Sequence, residues 1–219
     1  MLHQVLLHVT NDRLHGALNC RATTTLLLSP PYRLSAFHFN AHPTTTKPTI
    51  SSRSALEPVW FWKPEQENGY MSQWTESPWE HEGVTYHTAE MWMMVQKAKL
   101  FGDEEIAAEM AATSDPAKHK SLGRQARGFN RAKWDENKLR IVEEGTWFKF
   151  TASRDAAELK KQLLETGERQ IVEASPLDKI WGIGFGAENA EANRAKWGEN
   201  LLGIALVNVR KRIVEQEKK

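Results

Sequence analysis

Cysteine is all but missing from this chain. Cys20 stands alone among 219 residues, so no disulfide can form within it and no cysteine-based metal site is expected. That usage suits a reducing compartment. Long apolar runs are absent too, and none approaches the roughly 20 residues that cross a bilayer, so no membrane partner is expected. Net charge is nearly absent at +1, which gives no bulk electrostatic reason to bind nucleic acid or a membrane surface. After residue 56 only His81, His87 and His119 remain, so a histidine-based metal centre is not expected. The chain also lacks a Gly-x-Ser-x-Gly, a His-Glu-x-x-His and a Walker sequence, which removes the commonest hydrolase and nucleotide fingerprints.

Residues 1–56 differ from the rest. They hold one acid, Asp12, against Arg13, Arg21, Arg33, Lys47 and Arg53, and they lack tryptophan. Threonine runs at 23–25 and 44–46, with Pro30, Pro31, Pro43 and Pro48, break every helical pattern. The segment is expected to be a disordered extension, a transit peptide, or a stretch missing from the mature protein. The expected location is therefore the cytoplasm, or an organelle if the segment is a transit peptide. Residues 57–219 show no repeat and no linker, and they read as one domain.

Within that domain, Val59-Trp60-Phe61-Trp62 reads as a strand. Trp79-Glu80-His81 and Val84-Thr85-Tyr86 flank Glu82-Gly83 as a hairpin. Thr88 and Gly102 mark the start and stop of a helix. Asp103 caps the next, over 104–112. Asp115-Pro116 opens a third, ending near Gly123-Arg124. Asn130 caps a long helix to about Gly145 or beyond, and Asp155 another that ends at Gly167. Ile171–Ala174 reads as a short strand, and a final helix runs from Asn200-Leu201 to about Val214. All nine tryptophans lie between Trp60 and Trp197, as core packing or as stacking faces for a flat ligand.

The helix from Thr88 to Gly102 holds the first candidate residues. Ala89, Trp92, Met93, Met94, Val95, Ala98, Leu100 and Phe101 cover most of its circumference, as in a buried helix. Glu90 and Lys97 interrupt this surface. Seven residues apart, they share one face with Met94 between them, about 10.5 Å apart along the axis and too far for a direct ion pair. Charges facing an interior are costly unless they are paired or border a wet cleft. The pattern alone leaves two readings open: Glu90 satisfied by the helix dipole with Lys97 snorkelling to water, or both lining a site.

Asp178-Lys179-Ile180-Trp181-Gly182-Ile183-Gly184 is the second such stretch. Gly182 and Gly184 let backbone approach a ligand, Trp181 could stack on a base, and Asp178 could hold sugar hydroxyls. A tight structural loop explains the same residues equally well. Arg124, at a helix end, suits either a phosphate contact or the surface.

These pieces together resemble the NADAR family, whose bacterial members are the YbiA-like proteins. The matching residues are Ser72-x-Trp74-x-x-Ser77-Pro78-Trp79, Tyr86-x-x-Ala89-Glu90, Lys97-Ala98-x-x-Phe101-x-Asp103, and Asp115-Pro116-x-x-x-Lys120-x-x-Gly123-Arg124. Trp134, Lys149-Phe150 and Leu164-x-Thr166-Gly167 follow. Then come Glu173-Ala174-Ser175-Pro176-x-Asp178-x-x-Trp181-Gly182-Ile183-Gly184 and Trp197-Gly198-x-Asn200-Leu201-Leu202-Gly203-x-Ala205-Leu206. Order and spacing hold from about 60 to 212. Gln73, Thr75-Glu76 and Met91 depart from the usual pattern.

The resemblance implies an α+β domain, predominantly helical with a small β-sheet, that cleaves N-glycosidic bonds to ribose without metal or organic cofactor. One branch acts on ribosylamino-pyrimidine 5′-phosphates, the early intermediates of riboflavin synthesis. Another removes ADP-ribose from guanine in nucleic acid. A non-catalytic ADP-ribose-binding module is a third reading. The implied roles are Glu90 as acid/base, Lys97 as Schiff-base nucleophile, Asp178 as ribose anchor, Trp181 with Gly182 and Gly184 as the stacking loop, Arg124 on phosphate and Trp134 as pocket wall. Residues 57–219 carry 24 Lys and Arg against 27 Asp and Glu, a balance that favours a small nucleotide substrate over nucleic acid. The sequence does not fix the oligomeric state.

Overall fold

A computed structural model describes residues 57–219; the expectations for residues 1–56 lie outside them. In chain order the described elements are β1 (Val59–Phe61), β2 (Trp79–His81), β3 (Val84–Tyr86), α1 (Ala89–Leu100), α2 (Glu104–Ala111), α3 (Pro116–Gln125), α4 (Arg131–Thr151), α5 (Ala156–Glu165), β4 (Ile171–Glu173), α6 (Ala187–Ala190) and α7 (Leu201–Glu217). Short 3-10 turns occupy Gly69–Met71 and Glu191–Lys196. The fold is α+β and mainly helical, as the sequence implies. None of the described helices is long and apolar enough to cross a membrane.

The strands form two small sheets. β2 and β3 are antiparallel, with Trp79 opposite Tyr86 and His81 opposite Val84. Their turn has positive φ at both central residues, Glu82 (50°) and Gly83 (76°), the arrangement that matches the twist of a two-residue hairpin. β1 pairs in parallel with β4, Val59 opposite Ile171 and Phe61 opposite Glu173. Asn200 extends that sheet with its side chain. Its Oδ1 accepts from Glu173 N–H (3.0 Å) and its Nδ2 donates to the Ile171 carbonyl (2.9 Å). The start of α7 is thereby fixed to β4.

α1 lies at the centre, packed against α2, α3 and α4. Its start and stop follow the sequence signals. Met91 N–H donates to Thr88 Oγ1 (3.1 Å), and Gly102 takes φ +75° just past the helix, as a C-terminal glycine does. Asp103 and Asn130 likewise accept from Ile106 N–H and Lys133 N–H. Trp92 anchors the core. Its ring lies 4.9 Å from Tyr86 and 5.0 Å from Phe148, and its Nε1 donates to the Ile141 carbonyl (3.1 Å).

Gly145 does not end α4, which runs on to Thr151. A Cβ at Gly145 would lie 2.7 Å from Trp92 Cδ1. The glycine is there to admit the indole, at the modest cost of a glycine inside a helix. Residues 187–196, which carry no clear sequence signal, fold as short turns.

Lys149, also on α4, is fully buried. Its Nζ donates to the Ser72 carbonyl (2.6 Å). Burial pulls the amine down to about 7.

Two stability predictions follow from this packing. Gly145→Ala forces the Trp92 ring to move and should lower unfolding free energy by about 1–3 kcal/mol, read from urea denaturation. Lys149 binds its proton less well folded than unfolded, so stability should rise from about pH 7 toward the free-lysine value of 10.5. Lys149→Met should abolish that rise in melting temperature against pH.

Candidate active site

Glu90 and Lys97 stand on one face of α1, in its first and last turns. Glu90 N–H donates to the Gln73 carbonyl (3.0 Å), so the segment after the first 3-10 turn fixes the start of the helix. That segment is in turn held by α4: Lys149 binds the Ser72 carbonyl, and Gln73 Nε2 donates to Thr146 Oγ1 (3.4 Å). Both Glu90 and Lys97 are half-buried. They form no direct ion pair, as their spacing requires, yet each acts on the other.

Burial pushes the Glu90 carboxyl up to about 7, opposed by Lys97 and aided by the negative Asp178. Burial pulls the Lys97 amine down, opposed by Glu90. The lysine head lies between two aromatic rings, 4.9 Å from Phe129 and 5.1 Å from Trp134. Such rings attract the ammonium but supply no hydrogen-bond acceptor in exchange for lost water.

Trp134 therefore stands where a pocket wall is expected. Phe129 was not anticipated. It is 49% exposed, and nothing in its own sequence neighbourhood points to a site. Its position comes from the α3–α4 connection. Arg127 donates to Asp103 through its backbone N–H (2.8 Å) and its guanidinium (2.9 Å). Gly128, at φ +71°, lies against the Phe101 carbonyl, and Phe129 meets Phe101 edge-on at 5.2 Å. Lys133 Nζ then donates to the Leu100 carbonyl (2.7 Å) at the end of α1, where a cation complements the helix dipole.

The 178–184 loop approaches the same face. Asp178 acts electrostatically on Glu90. Its Oδ1 accepts from Ile180 N–H (2.7 Å) and Trp181 N–H (2.8 Å), so this expected ribose anchor also builds its own loop. Trp181 is half-buried. Gly182 is buried, and a Cβ there would lie 2.8 Å from the Glu173 carbonyl. Gly184 takes φ +77° against the Lys179 side chain. Internal packing thus accounts for both glycines. Arg124 is exposed at the end of α3. A Cβ on its neighbour Gly123 would lie 2.5 Å from Met94 Cε, so α3 ends close to the face of α1 that carries Glu90 and Lys97.

Among the departures from the family pattern, Met91 is buried in the core and Gln73 is buried beside Thr146. Glu173, quoted in the family motif without a role, is the second unanticipated residue: it interacts electrostatically with both Glu90 and Asp178. Among the described residues, no three His, Cys, Asp or Glu side chains are placed to hold a metal. A cleft of about 530 Å³ opens elsewhere, between α4, α5 and α7, with Trp147, Arg154 and Lys160 in its lining. It includes no residue of α1, so the chemistry and not the cleft marks the site.

The NADAR domain model matches residues 60–214. The chain belongs to the NADAR family. It is 47% identical over 131 residues to N-glycosidase R617 of Acanthamoeba polyphaga mimivirus, covering 59% of this chain and 75% of that one. It is 24% identical to riboflavin biosynthesis protein VVA0006 of Vibrio vulnificus, over 76% of this chain but only 41% of that protein. Among solved structures, the NMR structure of E. coli YbiA superposes with a TM-score of 0.59 at 25% identity, over 74% of this chain and 87% of that one.

The coupling of Glu90 to Lys97 can be measured directly. Because Glu90 raises the lysine's proton affinity, Glu90→Gln should move the Lys97 titration midpoint further down. NMR titration of the isotopically methylated amine reads this; an unmoved or raised midpoint counts against the shared site.

Proposed function

We propose that this hydrolase of N-glycosyl bonds cleaves the bond between ribose and the amino nitrogen of ribosylamino-pyrimidine phosphates, using Glu90 and Lys97. The observation that carries the reading is their opposed perturbation on one face of α1: a carboxyl that holds its proton to about pH 7 beside an amine made easier to deprotonate. An acid and a nucleophile are thus available together near neutrality. The N-glycosidase name of the mimiviral relative and the riboflavin name of the Vibrio one point to the same chemistry.

The steps balance as follows. Protonated Glu90 gives its proton to the ring oxygen, the C1′–O4′ bond opens, and positive charge forms along the C1′–nitrogen bond. The neutral Lys97 amine adds to C1′. A proton passes from the new ammonium through the Glu90 carboxylate to the leaving nitrogen, which departs as an amine. Lys97 is left as a Schiff base on C1′. Water adds there and frees the sugar as its aldehyde; the proton released passes to the Glu90 carboxylate, which restores both the acid and the neutral lysine. Trp134 and Phe129 keep the lysine poorly hydrated, Asp178 faces the sugar, and Trp181 offers a surface to the base. Arg124 offers a guanidinium to the phosphate.

Borohydride trapping on the full chain tests this. Ribosylamino-pyrimidine 5′-phosphate should give a mass gain equal to the reduced sugar phosphate, absent in Lys97→Ala. Glu90→Gln should lower kcat by about 10²–10⁴-fold. If only ADP-ribosyl-guanosine gives an adduct, the substrate is ADP-ribosylated guanine. If neither does while ADP-ribose binds, the protein is a binding module.

A further inference from the structure

The proposed mechanism leaves one half-buried acid of the site unused. Glu173 ends β4, directly before the segment that carries Asp178 and Trp181. Its backbone is held on two sides: its N–H donates to Asn200 Oδ1 (3.0 Å), and its carbonyl accepts from Ile183 N–H (3.0 Å). The side chain has little freedom to withdraw. Its Oε2 is buried and meets no hydrogen-bonding group of the protein. A buried polar atom left unsatisfied is costly and rare in a native fold. Two carboxyls act on Glu173, Asp178 from the glycine loop and Glu90 from α1, each raising its proton affinity when ionised; Lys97, two turns further along α1, acts on Glu90.

Three carboxyls that act on one another are not all ionised together at neutral pH. Asp178 accepts two backbone N–H groups through Oδ1, a task that suits an anion. Glu173 has no donor directed at its orphan oxygen, and burial together with Asp178 favours its neutral form, with Glu90 adding to this once it ionises. A neutral carboxylic acid differs from the other two groups in one respect: it can donate as well as accept. A ribose unit offers several acceptor oxygens, its hydroxyls as well as the ring oxygen that Glu90 protonates, so a second donor has a partner to bind.

We infer that Glu173 is a third ligand-contacting carboxyl of the site, acting as a neutral acid that donates a hydrogen bond from its buried carboxyl to an acceptor oxygen of the bound ribose. The inference rests on the ribosyl reading above and adds to it a second proton-bearing group. Burial and the two neighbouring carboxylates, pushing this carboxyl up to about 8, keep it protonated through the range in which Glu90 titrates.

The test uses the full chain at pH 7 with ribose 5-phosphate as probe. Difference infrared spectroscopy should show a protonated-carboxyl band that is missing in Glu173→Gln and that moves to lower frequency when the probe binds. In turnover, Glu173→Ala should raise KM by about tenfold or more, and Glu173→Gln, which keeps a donor, should recover most of that loss. Because Glu90 also acts in its protonated form, with a limb near pH 7, the wild-type kcat/KM should fall as two protons are lost above about pH 8, and Glu173→Gln should fall as only one is lost. A missing or unmoved band, or Ala and Gln variants that lower melting temperature without touching KM, overturns the role of Glu173 alone, provided the probe binds and Lys97 still traps sugar. If the wild-type chain neither binds ribose 5-phosphate nor forms an adduct, the ribosyl reading falls and this inference falls with it.

Discussion

Desolvation of α1 is the constraint on which the rest of the structure depends. Helices, loop and aromatic rings close around this one helix, and its two inward charges are given no partner of opposite sign within ion-pairing distance. A fold selected only for stability would replace them with apolar residues or pair them, because an unpaired charge away from water is costly. Here the packing maintains the mismatch. Trp92 seats on Gly145, Gly123 admits Met94, and the Arg127–Asp103 contact brings Phe129 over the lysine. The first of these contacts seats the far side of α1 in the core, the second brings α3 against the face of Glu90 and Lys97, and the third places an aromatic ring at the lysine head.

The same logic extends outward from the helix. Lys149 is buried with a single carbonyl partner, yet that carbonyl belongs to the segment that receives the Glu90 N–H. A lysine that binds backbone from inside the core positions the first turn of α1 and keeps its own head out of the site. Asn200 does the comparable task for β4, replacing strand partners with its amide. Two buried polar side chains, one on α4 and one before α7, thus fix the two segments that carry Glu90 and Glu173.

Local signals in the sequence were enough for most of the elements. Caps at Thr88, Asp103 and Asn130, glycines at 102 and 167, and the Glu82-Gly83 turn all act through neighbours a few residues away, and the structure follows them. The failures were long-range. Gly145 leaves the end of its helix open in the sequence, because its reason for being glycine is Trp92, far off in the chain. The parallel pairing of β1 with β4 has no local mark, because it joins segments more than a hundred residues apart. Nothing around Lys149 in the sequence marks it as buried, since lysine is usually exposed. At the site, the order of the family motifs singled out Glu90 and Lys97, whereas Phe129 depends on the path of a loop. Glu173 did carry a signal, a lone acid closing an apolar strand, but its weight comes from carboxyls brought near it by folding.

The charge balance of the site also limits the kind of substrate that fits. Glu90 is coupled to one half-buried lysine and to Asp178, and Glu173 to both acids; burial raises the proton affinity of Glu90 and Glu173. An anionic substrate entering such a site meets less repulsion than a count of carboxylates suggests. Its phosphate still needs a cation, and Arg124 is exposed at the adjacent helix end while Arg127 is engaged by Asp103 and Glu105. One available guanidinium at the rim, and a domain with slightly more acids than bases, match a single phosphate group better than a polyanionic strand, whose binding draws on many cations at once. In the proposed reading, protonation of the carboxyls, and not a field of positive charge, makes room for a small nucleotide held by its sugar.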